Sequence, residues 1–278
     1  MQLPAAAPAQ HQAWDEQYRR YQATLTSQYL IPTLRGWSFD PAGKRILEIG
    51  CGDGGCGAEL QRAGARVTAL DIDARLVQIS NDLNRREGVG VQAFVGDIND
   101  AHCPGLERGP FDLVLLRDVV EHLENLEQVL RIVVAHLSPG GFVFVDFPPY
   151  YSPFGAHQQI LPRRKLGPVP YNKLPWIQLL PDALFLRLVA GDGPANREVR
   201  RLRGIRLTLG KFERAVRRIP LRIRRRELHL LRPSFKLRYG LPVLGASFVG
   251  QVPGLNELLV TGAYFLLERD IPPPPEPT

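Results

Sequence analysis

The sequence predicts an α/β fold in which a mostly parallel, seven-stranded sheet carries helices on both faces. A short apolar strand, residues 45–49, ends abruptly in four glycines within residues 50–55. Apolar runs then alternate with helical patterns as far as residue 147, and parallel strands need crossover connections of that kind. After residue 147 the alternation stops, and nine prolines fall within residues 148–196. We therefore expect a Rossmann-like, doubly wound core with lid insertions after strands 5 and 6.

Hydrophobic periodicity places the individual elements in order. The predicted strands are residues 45–49, 66–70, 91–95, 111–116, 142–147, 221–231 and 260–267. The predicted helices are one or two within residues 11–34, then 56–63, 74–86, 122–137 and 211–218. The helix at 74–86 has Leu76, Ile79 and Leu83 as its inner stripe, and Pro139 with two following glycines ends the helix at 122–137.

Size and composition favour one α/β domain with a sizeable insertion. The chain has 278 residues, of which 44% are hydrophobic, enough for a substantial core. Its three cysteines lack metal-site spacing, which is typical of reduced thiols in a cytosol. Neither a secretory leader nor an apolar run of about 18 residues is recognisable, so we expect a cytoplasmic protein without a transmembrane segment.

The net charge of +7 is unevenly distributed. Residues 197–238 contain 16 Lys or Arg and three Glu, a block of +13, so the rest of the chain carries −6. Such a block is typical of contact with phosphate, an anionic membrane surface or an acidic substrate. It is equally consistent with a solvated face of helix and strand.

The glycine turn carries the strongest functional signal. Gly50, Gly52 and Gly55 fit a dinucleotide fingerprint, which alone is weak evidence. Glu48, two residues before the first glycine, would repel a pyrophosphate and suits a ligand with a cationic end. The segment resembles the first motif, E/D-x-G-x-G-x-G, of class I S-adenosylmethionine-dependent methyltransferases, here Glu48, Gly50, Gly52 and Gly54.

Acids at the ends of the next two strands extend this resemblance, which covers residues 44–147. Asp71 lies 21 residues after Gly50, the usual reach of an acid that binds ribose hydroxyls. The resemblance implies that Asp97 binds the adenine amino group and that Ile72 and Ile98 lie against the two faces of the ring. The predicted cofactor contacts also include Cys51 in the loop and Arg117 at the end of the fourth strand. Alternatively, Asp97 is a turn former and Asp71 a helix cap, as we expect Asp73 to be.

The segment after the fourth strand resembles the acid-x-x-Glu-His pattern of two metal-using O-methyltransferase groups. One group methylates ubiquinone precursors and the other the terminal ribose of small RNAs. The resemblance implies that Asp118, Glu121 and His122 hold Mg²⁺ or another divalent cation beside the acceptor oxygen. Alternatively, Glu121 and His122 only begin the next helix, where an acid in the first turn is favourable.

Residues beyond the fifth strand are expected to surround the acceptor. His157 is the preferred general base or a further metal ligand, unless it is a lid histidine that only packs. His122 is a second catalytic candidate. Tyr151 is a third, and it more readily shapes the pocket than transfers protons.

These predictions divide the chain into six parts. They are a disordered tail (1–10), N-terminal helices (11–43), the S-adenosylmethionine-binding core (44–147), an insertion covering the acceptor (148–205), a return to the core with the basic arm and second insertion (206–268) and a Pro-rich tail (269–278).

The leading hypothesis is O-methylation of a small-molecule acceptor, such as a sugar, a lipid-linked or a polyketide-like compound. An RNA methyltransferase would use the basic block on phosphates, but the block lacks regular aromatic residues for stacking on bases. A third hypothesis is peripheral contact with an anionic membrane to reach a lipid-linked glycan. A non-catalytic S-adenosylmethionine-binding protein and a nicotinamide oxidoreductase complete the set.

Overall fold

The computed structural model describes residues 8–161, 165–166, 169–170 and 173–270. The predicted tails fall largely outside this range: residues 1–7 and 271–278 are not described, whereas a helix already begins at Pro8. Within the described residues, no helix combines the length and the apolar character needed to cross a membrane.

The fold is built from alternating strands and helices. The strands are β1 (Arg45–Ile49), β2 (Arg66–Asp71), β3 (Gln92–Val95), β4 (Phe111–Arg117), β5 (Leu137–Phe147), β6 (Lys165–Leu166), β7 (Val169–Pro170), β8 (Leu221–Leu231), β9 (Leu244–Gly245) and β10 (Gly262–Arg269). The helices are α1 (Pro8–Leu25), α2 (Ile31–Gly36), α3 (Gly55–Arg62), α4 (Ala74–Arg86), α5 (Leu126–Ala135), α6 (Asp182–Leu188), α7 (Pro194–Ile205), α8 (Leu209–Val216), α9 (Pro233–Tyr239) and α10 (Leu255–Leu259). A π-helical stretch, Thr26–Leu30, joins α1 to α2.

The predicted α/β, doubly wound architecture is confirmed. The main sheet has the order β3-β2-β1-β4-β5-β10-β8-β9, in which β1 to β5 are parallel and β10 runs antiparallel to β5 and β8. Adjacent residues of one strand pack on opposite faces: Leu47 lies with α5 and α8, while Ile46 lies with α2 and α3. From β1 the chain proceeds outwards to β2 and β3 on one side, and then returns to β4 and β5 on the other side. The boundary between β1 and β4 is therefore the topological switch point, where sheets of this kind bind their ligands.

Three local predictions need correction. The sheet has eight strands rather than seven, because the two-residue β9 pairs with β8 within the second insertion. The helix predicted at 122–137 begins only at Leu126, and Val120–His122 forms a separate 3₁₀ turn. Residues 137–141 belong to β5, because Leu137 already pairs with Phe111 and the ladder resumes at Phe142 after an irregularity.

The two insertions lie where the sequence predicts them, after the fifth and sixth strands of the main sheet. The first, between β5 and β8, contains the β6–β7 pair, α6, α7 and α8. Part of it forms a small core of its own around Phe185 and Val199. Helix α7 packs on the 3₁₀ turn after β4, so this insertion reaches the carboxyl edge of the sheet.

Candidate functional site

The glycine loop between β1 and α3 leaves open space at the edge of the sheet. Gly50 has φ +74°, and an added Cβ would lie 2.4 Å from Val119 Cγ2, so only glycine fits. Gly52 has φ +54°, but among the described residues, apart from its own chain neighbours, no atom lies within 4 Å of where its Cβ would stand. The backbone of Gly52 therefore borders a space that a ligand can approach closely.

Asp71 fixes the shape of this loop. Its Oδ2 accepts a hydrogen bond from Gly52 N at 2.8 Å, and its Oδ1 accepts one from Asp73 N at 2.9 Å. Asp73 caps α4 by accepting from Arg75 N at 2.9 Å, as the sequence predicts. Asp71 thus holds the loop and the next turn together, while its part in binding ribose stays a prediction.

The predicted adenine contacts lie at the ends of β2 and β3. Ile72 is 70% exposed, which is unusual for such a side chain and suits an apolar ring partner. Asp97 is exposed, and its Oδ1 accepts from Asn99 N at 2.9 Å, so it does form a turn. Ile98 differs from expectation, because its side chain is only 5% exposed and packs in the core with Leu70.

Glu48 lies beneath the loop rather than in the open space. A Cβ on Gly57 would stand 2.7 Å from Glu48 Oε2, so the carboxylate faces the first turn of α3. Burial raises the pKa of Glu48 to about 7, although the charge of Arg117 opposes this. Glu48 thus lies beside the loop and within reach of the charge of Arg117, and its part in binding the cofactor stays a prediction. Cys51, also buried, packs in the apolar cluster on the same side of the sheet.

The N-terminal helix covers the glycine loop. The guanidinium of Arg19 donates to Asp53 O at 2.7 Å and to Asn84 Oδ1 at 2.7 Å, and it pairs with Glu87 at 2.8 Å. One buried cation thus ties α1 to the loop and to α4. No motif in the sequence marks this contact, since Arg19 lies about thirty residues before the glycines.

Asp118 pairs with an arginine from the far side of the sheet. Its backbone has φ +51°, and its Oδ1 accepts from Arg232 Nη1 at 2.8 Å. The side chain of Asp118 is 43% exposed, and the charge and hydrogen bond of Arg232 lower its pKa to about 2. Asp118 thus pairs with Arg232 and is not in the close group that Glu121 and His122 form, although its charge still acts on Glu121; its predicted part in holding a metal stays a prediction.

Glu121, His122 and His157 form a compact group in which one ligand atom of each lies within 4.8 Å of the others. Glu121 Oε1 is 3.5 Å from His157 Nε2 and 3.9 Å from His122 Nε2. Glu121 is 3% exposed, and neither of its oxygens has a hydrogen-bond partner among the described residues; the same holds for His157 Nε2. Buried polar atoms without partners are costly, so three that converge on one point suit a bound cation.

The pKa values of this group follow from its burial. Burial raises the pKa of Glu121 to about 8, against the charge of His122. Burial also lowers the pKa of His157, which keeps its imidazole neutral near pH 7. His157 has φ +54°, a conformation that costs energy outside glycine and is often kept at functional sites.

Helix α7 of the first insertion orients His122. Glu198 Oε1 lies 2.6 Å from His122 Nδ1, and Arg201 donates to Glu198 Oε2 at 3.0 Å and to His122 O at 2.9 Å. Burial opposes ionisation of Glu198, but the hydrogen bonds from His122 and Arg201 lower its pKa to about 2. An ionised carboxylate only accepts, so a neutral His122 carries its proton on Nδ1 and turns the Nε2 lone pair towards Glu121. Sequence reasoning missed Glu198, which has no motif of its own.

A narrow, mostly polar crevice opens between the N-terminal helices and the edge of the sheet at which β4 and β5 end and β10 begins, and Asp118, three residues before Glu121, lines it. It is lined by Tyr18, Tyr21, Gln22, Leu25, Tyr29, Leu30, Arg117, Asp118, Phe144, Asp146, Arg232, Ser234, Arg238 and Tyr264. Arg117 is the one predicted cofactor residue within it, and its Nη1 lies 3.4 Å from Thr26 Oγ1. Tyr151 lies outside it, half-buried against the ring of Tyr150. Asp146 and Arg232, which sequence reasoning did not single out, form part of the floor.

Much of the basic block is engaged within the fold. Ion pairs join Arg203 to Asp182, Arg218 to Glu127, Arg222 to Glu268, Arg226 to Glu213 and Arg232 to Asp118. This pairing accounts for several of the cations without an external partner. Contacts with nucleic acid or an anionic membrane stay predictions.

The buried carboxyls predict an unusual dependence of stability on pH. Burial raises the pKa of Glu48, Asp53 and Asp146 to about 7 and that of Glu121 to about 8. These groups bind protons more tightly in the folded than in the unfolded chain, so the free energy of unfolding falls as pH rises from about 4.5 to 8. His157 has a lowered pKa and therefore acts in the opposite direction, but it is one group against four.

We therefore expect the unliganded protein to melt several degrees lower at about pH 8 than at about pH 5.5. A bound cation stabilises the ionised carboxyls, so S-adenosylmethionine or a divalent ion should raise the melting temperature more at the higher pH. Calorimetric scans across this range measure the effect. A melting temperature that climbs steadily from pH 5.5 to 8 would contradict it.

Comparison with known proteins shows which families share this sequence and fold. A family described as "Methyltransferase domain" matches residues 14–188. A ubiquinone biosynthesis O-methyltransferase from Xanthomonas axonopodis pv. citri is 33% identical over 107 residues, which cover 38% of this chain and 44% of that enzyme. The chain thus matches less than half the length of this curated relative.

Two solved structures share the fold over most of the chain. An S-adenosylmethionine-dependent methyltransferase from Mesorhizobium loti superposes with a TM-score of 0.53 and 21% identity, covering 86% of this chain and 96% of that one. The plantazolicin methyltransferase BpumL, solved in complex with SAH, gives a TM-score of 0.52 and 14% identity, covering 96% and 92%. At these identities the likeness supports the fold alone.

Proposed function

We propose that this chain, which belongs to the S-adenosylmethionine-dependent methyltransferase family, transfers a methyl group to an oxygen atom of a small-molecule acceptor. The observation that carries the proposal is the convergence of Glu121, His122 and His157 in the segments that follow the carboxyl ends of β4 and β5. A hydroxyl acceptor must lose a proton as it is methylated, which calls for a general base or a metal ion. The 33% identity to an O-methyltransferase over part of the chain agrees with this assignment.

S-adenosylmethionine is the cofactor of this family, and it supplies a methyl group activated by a sulfonium charge. We place its adenosine half over β1, β2 and β3, where Asp71 faces the ribose and Ile72 and Asp97 face the adenine. The open space at Gly52 admits the close backbone approach that this position needs. The methyl group then points towards the β4 and β5 side, where the crevice begins.

A divalent cation fits the group formed by Glu121, His122 and His157. The donors are one carboxylate and two imidazoles, which suit a borderline ion such as Mn²⁺ or Zn²⁺ better than Mg²⁺, whose preferred ligands are oxygens. Such an ion lowers the pKa of an acceptor hydroxyl. Glu198 keeps the Nε2 of His122 available for it, and Asp118, held by Arg232, is not among the ligands we propose.

When no cation is bound, His157 can instead act directly as the base. Its imidazole is neutral near pH 7, since burial lowers its pKa, so it can take a proton from an acceptor hydroxyl. The low exposure of Glu121 and His157 limits the water that would compete with the acceptor. In this scheme the chain orients the acceptor, removes its proton and excludes water.

The block at residues 197–238 argues for a small acceptor rather than RNA, because many of its arginines already pair with carboxylates of the same chain. RNA binding that falls steeply between low and moderate salt would reverse this preference.

Transfer of label tests the proposed function. The protein is incubated with S-adenosylmethionine labelled at its methyl group and fractionated small-molecule extract, with and without a chelator. We expect label in a small molecule as a methyl ether, with turnover reduced by the chelator. Tight cofactor binding with no label transferred to any fraction would favour a non-catalytic binding protein, and label in RNA would favour an RNA methyltransferase.

A further inference from the structure

We propose that the second insertion, between β8 and β10, docks on an anionic lipid surface and places exposed apolar side chains in its headgroup layer. This partner goes beyond the proposed methyl transfer and does not depend on which acceptor is methylated. Three features of the insertion carry it: clustered hydrophobic side chains that face water, a fold that holds them there, and neighbouring cations without acidic partners.

Exposed hydrophobic side chains are concentrated in the second insertion. Ten large hydrophobic side chains are exposed among the described residues, and half of them lie within residues 239–255. We call these five the apolar face: Tyr239, Leu241, Leu244, Phe248 and Leu255. Phe248 is 77% exposed and Tyr239 is 67% exposed, so the two aromatic rings gain most by leaving water. Clustered apolar surface of this kind is typical of contact with a membrane or with another protein.

The fold holds the apolar face in place. Strand β9 pairs with the end of β8, and just beyond it Ala246 N donates to Leu228 O at 2.7 Å. Gly250 N donates in turn to Ala246 O, and both of these residues are buried. Phe248 lies between them, so the turn that carries it is tied down on both sides. The exposure of Phe248 is therefore a property of the folded turn.

The first insertion adjoins this surface. Trp176 Nε1 donates to Leu258 O at 3.0 Å and so joins the two insertions. Leu179, in the 3₁₀ turn that follows Trp176, is exposed, and Leu255 precedes Leu258 by one turn of α10. Each insertion thus presents an exposed leucine within one turn of this contact.

Exposed cations near the apolar face have no acidic partner. Residues 228–256 contain no Asp or Glu. Lys236 and Arg238 are exposed on α9, and neither makes an ion pair with a described residue; Arg238 instead lies over the ring of Tyr21, 4.8 Å from its centre. Lys173 of the first insertion is likewise exposed and without an ion pair among the described residues. Apolar side chains flanked by free cations suit a membrane surface that carries anionic lipids.

The distribution of charge favours lipid over a second copy of the chain. A two-fold contact through the apolar face would bring Lys236 and Arg238 towards their own copies, with no acid in residues 228–256 to compensate. Residues 240–254 also include four glycines and two prolines, so the segment is built from turns whose backbone groups need polar partners. Headgroups and water supply such partners, whereas the hydrocarbon core does not. We therefore place the contact in the headgroup layer.

Docking would turn the candidate site towards the lipid surface. Strand β10 runs antiparallel to both β5 and β8, so β5 and β8 end at the same edge of the sheet. The second insertion follows β8 at this edge, and His157 follows β5. The lipid would thus lie at the edge where we propose that methyl transfer occurs.

Flotation with vesicles tests the proposal. The full chain is mixed with vesicles of phosphatidylcholine, either alone or containing phosphatidylglycerol. We expect the partition coefficient to be at least about tenfold higher on the anionic vesicles, because each cation near the surface contributes. Phe248→Ser should lower it about tenfold or more, since a large apolar side chain is lost from the contact. Lys236→Gln should lower it about fivefold, on the anionic vesicles only.

Val95→Ser and Lys44→Gln are the matched controls. Val95 is an exposed apolar residue of β3, at the opposite end of the sheet from β8, and Lys44 is an exposed lysine before β1, at the opposite edge. Both variants should bind vesicles as the parent does. Because Phe248 is exposed, Phe248→Ser should melt within about 2 °C of the parent. If it melts lower, Tyr239→Ser and Leu244→Ser repeat the test.

Phe248→Trp locates the contact. Its fluorescence, measured against the parent with its three native tryptophans, should shift to shorter wavelength on anionic vesicles and be quenched by brominated lipids. Val95→Trp should show neither change. Equal binding to both kinds of vesicle, no binding, or undiminished binding of Phe248→Ser would each overturn the proposal.

The outcomes also separate this proposal from its alternatives. A lipid-free dimer that Phe248→Ser converts to monomers, while vesicle binding is absent, would assign the apolar face to a second copy and overturn the proposal. Vesicle binding that Phe248→Ser abolishes, with methyl transfer to a water-soluble acceptor intact, would uphold both the lipid contact and the proposed function. Intact vesicle binding without any methyl transfer would contradict the proposed function alone.

Discussion

Gly52→Val is expected to weaken S-adenosylmethionine binding about 100-fold or more, which corresponds to roughly 2.7 kcal/mol of binding free energy. The added side chain would project into the open space beside the glycine loop, where the described part of the chain places no atom within 4 Å other than those of its neighbours. It would also strain a backbone with φ +54° and disturb the hydrogen bond from Gly52 N to Asp71. Titration calorimetry with the cofactor measures the loss.

Gly88→Val is the matched control for this substitution. Gly88 has φ +66° and no atom within 4 Å of its Cβ position, so valine there suffers the same kind of strain on an exposed turn after α4. We expect both variants to lose comparable stability, while only Gly52→Val loses the cofactor. Similar cofactor affinities in the two variants would place the binding site elsewhere.

The second large effect concerns Glu121. Glu121→Gln keeps the size of the side chain but removes the charge that faces His122 and His157. We expect saturable binding of Mn²⁺ or Zn²⁺ to weaken at least about 100-fold, because one of three ligands is lost. Turnover should fall by a factor of about 10² to 10⁴, the range for loss of proton-transfer chemistry, while cofactor affinity stays within about threefold.

Glu124→Gln serves as the control, since Glu124 is an exposed acid one turn further along the chain that lies 3.9 Å from Arg201. Metal affinity and turnover should both match the parent. His157→Ala should resemble Glu121→Gln in lowering turnover more than cofactor affinity. Turnover that a strong chelator leaves untouched, together with unaltered metal affinity in Glu121→Gln, would rule out a metal at this group and leave His157 to act as a base.

Much of the fold could be predicted because its signals are local. The run at residues 45–49 followed by glycines predicted β1 and its loop, and the strand at Leu221–Leu231 was predicted to the residue. Asp73 was recognised as the cap of α4. The elements that were predicted wrongly have physical reasons as well. Strand β9 has only two residues, too few for any periodicity, and β5 continues through glycines that normally signal the end of an element.

The candidate site was predicted only in part. Glu121, His122 and His157 were each singled out, but the sequence grouped Asp118 with the first two, since it precedes them at a familiar spacing. In the structure Asp118 faces Arg232, 114 residues away, and His157 stands beside Glu121 instead. Spacing along the chain could not reveal this, because the partner of Asp118 lies far away in the chain, and because Asp118 and His157 both adopt left-handed backbone conformations that no local pattern predicts.

The sequence by itself determined the α/β core, the glycine loop and the acids at the ends of its strands, because each is encoded within one strand and the turn that follows it. Only the tertiary structure decided which distant side chains meet: Glu198 on His122, Arg232 on Asp118, and the tyrosines of the N-terminal helices over the crevice. These contacts depend on how two insertions and a terminal helix pack against one edge of the sheet. Such packing depends on the shape and charge of the whole folded surface. No short repeating pattern in the sequence encodes it.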